Sequence, residues 1–135
     1  MNPAEPSASA DLAPSVAAAA PGALVVGGAL GALDVVRSLG RQGIPVCFLT
    51  HDHPIAGFSR FAGRRLRWDG PDQPDALDTL IRLVRSQRLD GWALFVCGDN
   101  EVRFAAQNHA ALATVLRLTT PPWEITRWCN DKRLT

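Results

Sequence analysis

The sequence predicts an α/β domain, doubly wound in three layers around a mainly parallel sheet, and three observations carry that expectation. Short unbroken apolar runs recur along the chain, as strands buried on both faces require. Between them lie longer segments with apolar residues at helical spacing and charge on the opposite side. The connections are short, so strand, helix and strand follow one another as the crossover units of a parallel sheet.

The first run, Ala23, Leu24, Val25 and Val26, ends at Gly27 and Gly28 and suits a first strand. Residues 30–42 place Leu30, Leu33, Val36 and Leu39 at helical spacing, with Asp34, Arg37, Ser38 and Arg41 on the other side. Gly40 and Gly43 loosen and then stop this helix. Residues 44–49 form a second strand with Pro45 near its start, where a missing ladder donor does least harm. Residues 50–63 hold turn residues and no sustained period, and read as a loop with a helical turn at residues 59–62. Arg64, Arg65, Leu66, Arg67 and Trp68 alternate weakly, as a short strand near a sheet edge does. Residues 74–88 gather Leu77, Leu80, Ile81 and Val84 on one helix face. Their charges suit the helix dipole, with Asp75 and Asp78 early and Arg82, Arg85 and Arg88 late. Residues 92–97 make a third buried strand, ended by Gly98, Asp99 and Asn100, and residues 101–116 are helical with a break near Asn108 and His109. Pro121 and Pro122 punctuate the chain before a turn or two of helix at residues 123–128, and residues 130–135 open another helix.

Composition limits the function classes. The 135 residues, 47% hydrophobic and 20% charged, match one folded domain. A net charge of +1 argues against a nucleic-acid or anionic-membrane partner, and no apolar run approaches the roughly 20 residues that span a bilayer. Cys47, Cys97 and Cys129 form no CxxC pair, so neither a disulfide framework nor a zinc site is encoded, and a reducing cytoplasm is the expected compartment. Residues 1–22 are rich in Ala, Pro and Ser and lack any positive side chain, which excludes a signal peptide and reads as a disordered tail. Beyond them lie all fourteen basic residues and eleven of the acids, about +3, an ordinary balance for a solvated surface.

In a doubly wound sheet, sites collect at the carboxyl ends of the strands. Here those ends carry Gly27 and Gly28, then Thr50, His51 and Asp52, then Gly98, Asp99 and Asn100. Glycines in a strand-to-helix turn let a backbone approach a phosphate, but the dinucleotide fingerprint is incomplete because its first glycine falls at Val26. His51 and His53 flank Asp52 without a visible third metal ligand, and read as solvated loop histidines. Cys97, with no histidine paired to it in sequence, reads as a small core residue. Arg64, Arg65 and Arg67 read as a charged edge that blocks strand pairing. Asp99 or Asn100 is expected to cap the helix that follows, and Glu101 to complement its dipole, while these acids could also hold a ligand. Lys132, the single lysine, is a candidate phosphate contact.

Taken in order, these motifs resemble the amino-terminal, pre-ATP-grasp domain of an ATP-grasp carboxylate–amine ligase, in the branch that includes D-aspartate ligase-like proteins. The residues that carry the resemblance are the glycine turn, Arg37 to Arg41 (R-S-L-G-R) with Gly43 to Val46 (G-I-P-V), Ser59-Arg60-Phe61, the apolar strand and acidic turn at residues 95–101, and Asp131-Lys132. Together they cover residues 23–135. The resemblance implies a Rossmann-like domain and a ligase in which ATP phosphorylates a carboxylate, an amine attacks the acyl phosphate, and magnesium neutralises the phosphates. It places Lys132 at the ATP and leaves Gly27, Gly28, Asp99 and Glu101 as candidate walls of the substrate cleft. Under it, residues 1–22 are the tail, 23–120 the pre-ATP-grasp domain, and 121–135 a linker with the truncated start of an ATP-grasp domain. That missing domain would be the partner. The present chain would then be a fragment with no catalytic residue, no activity alone, and no tight ATP or magnesium binding. Two alternatives stay open. One is an NAD(P)-binding Rossmann domain using the glycine turn and Asp52, and the other is a non-catalytic, flavodoxin-like interaction module. A ligase fragment differs from such a module in exposing an apolar patch, with Trp123 and Trp128 as its expected members.

Overall fold

The computed structural model of the protein describes residues 21–51, 54–130 and 133. Five strands form one sheet: β1 (Ala23–Val26), β2 (Val46–Thr50), β3 (Arg64–Arg67), β4 (Ala93–Val96) and β5 (Arg117–Leu118). Their spatial order is β3-β2-β1-β4-β5, and all four pairings are parallel. The helices are α1 (Ala29–Arg41), α2 (Ala76–Ser86), α3 (Asp99–Gln107), α4 (His109–Leu112) and α5 (Trp123–Asn130), with a 3-10 turn at Ile55–Phe58. This is a small α/β domain of generic Rossmann-like architecture. Among the described residues no helix is long and apolar enough to cross a membrane.

Strand side chains alternate between faces, and each face has its own core. Leu24, Val26, Cys47, Leu49 and Leu94 meet Leu80 and Val84 of α2, Ala105 of α3 and Leu112 of α4. On the other face Val25, Val46 and Phe48 meet Ala32 and Val36 of α1, together with Ala56 and Ala62. The expected three layers are therefore present. Gly22, grouped with the tail by composition, is buried, and its carbonyl accepts from Ala93 N at 3.0 Å. Residues 1–20 lie outside the described residues.

The elements depart from expectation in four places. Leu30 is 66% exposed, because at about 100° per residue it sits roughly 160° around the helix from Ala32, which faces the sheet. The helical turn in the β2–β3 connection forms at Ile55–Phe58, where Pro54 in an αR conformation starts it and accepts from Gly57 N at 2.9 Å. The expected residues 59–62 make only a turn, with Ala62 N donating to Ser59 O. Residues 101–116 divide as foreseen, where Asn108 Nδ2 donates to Phe104 O at 2.9 Å, but they end short of β5, a two-residue strand that sequence did not signal. Asn130 closes α5 instead of opening a further helix, and 131, 132, 134 and 135 lie outside the described residues.

Candidate functional site at the carboxyl edge

The strand order reverses between β1 and β4, which makes their carboxyl ends the switch point of the sheet. After β1, Gly27 and Gly28 both adopt positive φ, +75° and +65°, a region that side chains disfavour. After β4, Gly98 stays extended and becomes the N-cap of α3, so Asp99, Asn100 and Glu101 fall in its first turn. The two strand ends approach closely: a Cβ on Gly28 would collide with the Cys97 carbonyl.

Glu101 is only 5% exposed. Its carboxyl group lies over the glycine turn, so that a Cβ on Gly27 would come within 2.5 Å of its Cδ, and it folds back against Gly98. Two glycines, Gly27 and Gly98, thus make the space for one acid. His51, the residue after β2, completes the arrangement: its Nε2 lies 2.5 Å from Glu101 Oε1, the imidazole N–H donating to the carboxylate. The His51 ring packs edge-on to Trp68 at 5.9 Å, and Trp68 contacts Phe104 at 5.4 Å. Trp68 is itself oriented by its Nε1, which donates to Thr79 Oγ1 at 3.2 Å. Gly70, with φ +101°, leaves room for the imidazole, since a Cβ there would stand 3.0 Å from Nδ1.

These contacts correct the reading of His51 as a solvated loop histidine: its side chain is 13% exposed and paired. A bond between residues 50 apart in sequence appears only once β1 is known to lie between β2 and β4. The signal available beforehand was its position, immediately after a buried strand at the edge where sites collect. Asp52 and His53 lie outside the described residues.

The capping expectation is also corrected. Gly98 is the N-cap, no side chain caps α3, and Asp99 and Asn100 are exposed. A capping side chain must stand one residue outside the helix to reach the free amides, and Asp99 is already inside it. Glu101 complements the dipole as expected, and its charge also lies beside the start of α1, whose first turn has no acid of its own.

The remaining candidates separate from this cluster. Cys97 is partly buried and its thiol is raised to about 11, by burial and then by the Glu101 carboxylate, which suits packing better than nucleophilic attack. Burial raises the Cys47 thiol to about 11 as well, against a lowering by Arg64. Arg64 Nη2 donates to the backbone oxygen and Oε1 of Gln87, each at 2.9 Å, while Arg65 and Arg67 are exposed on the edge strand. Trp128 is 50% exposed beside Ile125 at 60%, with Arg127 over the Trp128 ring at 5.1 Å. Trp123 is half-buried and lines a cleft of about 400 Å³ with residues of α3 and α4. Lys132 and Asp131 lie outside the described residues.

No protein-family model matches the chain, and no curated protein matches it. The glycine turn that would cradle a phosphate is covered by a carboxylate, which repels one. Among the described residues no group of three metal-ligating side chains is brought together.

Proposed function

We propose that this domain forms a wall of the substrate cleft in an ATP-dependent carboxylate–amine ligase, the nucleotide being held by an ATP-grasp domain that continues from Lys132. The observation that carries the reading is the buried Glu101 carboxylate, positioned by His51 over the glycine turn at the switch point. A fixed negative charge at that edge suits the ammonium of an amine or amino-acid substrate and opposes a phosphate. The order of the R-S-L-G-R, S-R-F and D-K motifs supports the family. The same carboxylate weighs against the NAD(P) alternative, whose pyrophosphate would need the space over Gly27.

The test is ADP release from ATP and magnesium in the presence of mixed carboxylates and amino acids. The 135-residue chain should release none. A polypeptide extended through the downstream reading frame should release ADP only when both carboxylate and amine are supplied. Glu101→Gln in that longer protein should raise KM for the amine with a smaller effect on kcat. ADP release by the short chain, no release by the long one, or saturable NAD binding by the short one would overturn the proposal.

A further inference from the structure

The R-S-L-G-R and S-R-F motifs, which the cleft-wall role leaves unused, meet in space. Gly40 lies so close to Phe61 that a Cβ there would enter the phenyl ring. Around this contact Arg37, Arg41, Phe58, Ser59, Arg60 and Phe61 line a cleft of about 410 Å³. It is separate from the carboxyl-edge site, because α1 begins at the glycine turn and its 13 residues carry Arg41 about 18 Å away.

Three arginines line this cleft and no acid does. Asp34, one turn before Arg37, makes no ion pair with it among the described residues. Arg60 lies over the Phe61 ring at 4.8 Å, and Phe61 N donates to Ser59 Oγ at 3.2 Å, which orders the loop. The dipole at the end of α1 accounts for Arg41 alone. Arg37 and Arg60 have no such account, and a bound anion would offset the like charges that line this one cleft. Phe58, 79% exposed at the rim, is an apolar surface with no partner in the fold's two cores.

We propose that this cleft binds a small organic phosphate, with the guanidiniums on the phosphate and a planar group of the ligand against Phe58. Arginine forks match phosphate oxygens, and the cleft volume lies within the range of small-molecule sites. The inference is independent of the ligase reading, because it uses none of the carboxyl-edge residues.

The experiment is a titration of the isotope-labelled chain with AMP and, separately, with inorganic phosphate, followed by amide NMR. Saturable shifts should appear at residues 37–41 and 58–61 and not at Gly27 or Gly28, with AMP the tighter ligand. Arg37→Gln combined with Arg60→Gln should weaken both ligands by about tenfold or more. Phe58→Ala should weaken AMP and leave phosphate unchanged. These positions are exposed, so folding should survive each substitution. The proposal is overturned by shifts that stay linear to roughly 20 mM ligand, well beyond ordinary site affinities. It is also overturned by shifts centred on the glycine turn, by affinities the arginine substitutions do not change, or by equal effects of Phe58→Ala on both probes.

Discussion

Both edges of the sheet carry a pair of glycines in the left-handed region, and the two pairs serve different ends. At the amino edge, Gly43 (φ +78°) and Gly91 (φ +81°) precede β2 and β4, and a Cβ on either would meet nothing within 4 Å. They answer only to backbone geometry. At the carboxyl edge, Gly27 and Gly28 have similar φ but are also walled, one by the Glu101 carboxyl group and the other by the Cys97 backbone. The difference teaches that the amino edge merely turns the chain, whereas the carboxyl edge clears space for a buried charged side chain.

The largest effect that sharpens this contrast comes from the glycines themselves. Gly43→Ala should cost about 1 kcal/mol, the strain of a left-handed alanine. Gly28→Ala adds a collision with a backbone carbonyl that cannot swing aside, and should cost about 3 kcal/mol or more. Urea unfolding of the two variants compares them directly, and equal losses would break the distinction between the edges.

Next in size is the pair that the carboxyl edge encloses. A double-mutant cycle with His51→Gln and Glu101→Gln should give a coupling energy of about 2 kcal/mol, because both side chains are largely shielded from water. Exposed pairs give under about 1 kcal/mol, and a value in that range would reduce His51–Glu101 to a surface contact.

Cys97 reports on the same enclosure through its thiol. Its value in the fold is raised to about 11 from an ordinary 9.0, first by burial and then by Glu101. The unfolded chain therefore loses this proton first as pH rises. The contribution to stability is complete below pH 9 and is lost between 9 and about 11. Cys97→Ala should flatten that alkaline decline. At pH 8 iodoacetamide should alkylate Cys97 about 100-fold more slowly in the folded than in the urea-unfolded protein, on thiolate fraction alone. Equal rates would place the thiol in an open environment.

Much of the scaffold was legible in the sequence because parallel strands buried on both faces leave unbroken apolar runs. Ala23 to Val26 were recognisable for that reason, residues 92–97 kept an apolar run although β4 is only partly buried, and their glycine ends marked the edge where Gly27 and Glu101 meet. Gly27, Gly28 and Glu101 were named and do come together, whereas Asp99 points to solvent and Lys132 lies outside the described residues. His51 was misjudged because its partner is distant in sequence and joined to it only by strand order. Leu30 was misjudged because an apolar period does not say which of two neighbouring stripes faces the sheet. β5 has two residues, fewer than any periodic signal needs.

The smallest predicted effect separates the two acids at the start of α3. Asp99 and Glu101 are two residues apart in one turn, with the same helix dipole acting on both. If acidity at a helix start were the whole reason for these residues, Asp99→Ala and Glu101→Ala would cost similar amounts. Asp99 is exposed and caps nothing, so its removal should cost only about 0.3–0.5 kcal/mol, less than the roughly 1 kcal/mol lost with a true cap. That small loss should also shrink in added salt, since screening weakens charges that face water. Glu101→Ala should exceed it several-fold and respond weakly to salt, because it is itself buried and packs against a part-buried imidazole and a fixed glycine turn. Thermal melts of the two variants at low and high ionic strength would measure both differences. A salt-sensitive loss of equal size at both positions would return Glu101 to the status of an ordinary first-turn acid.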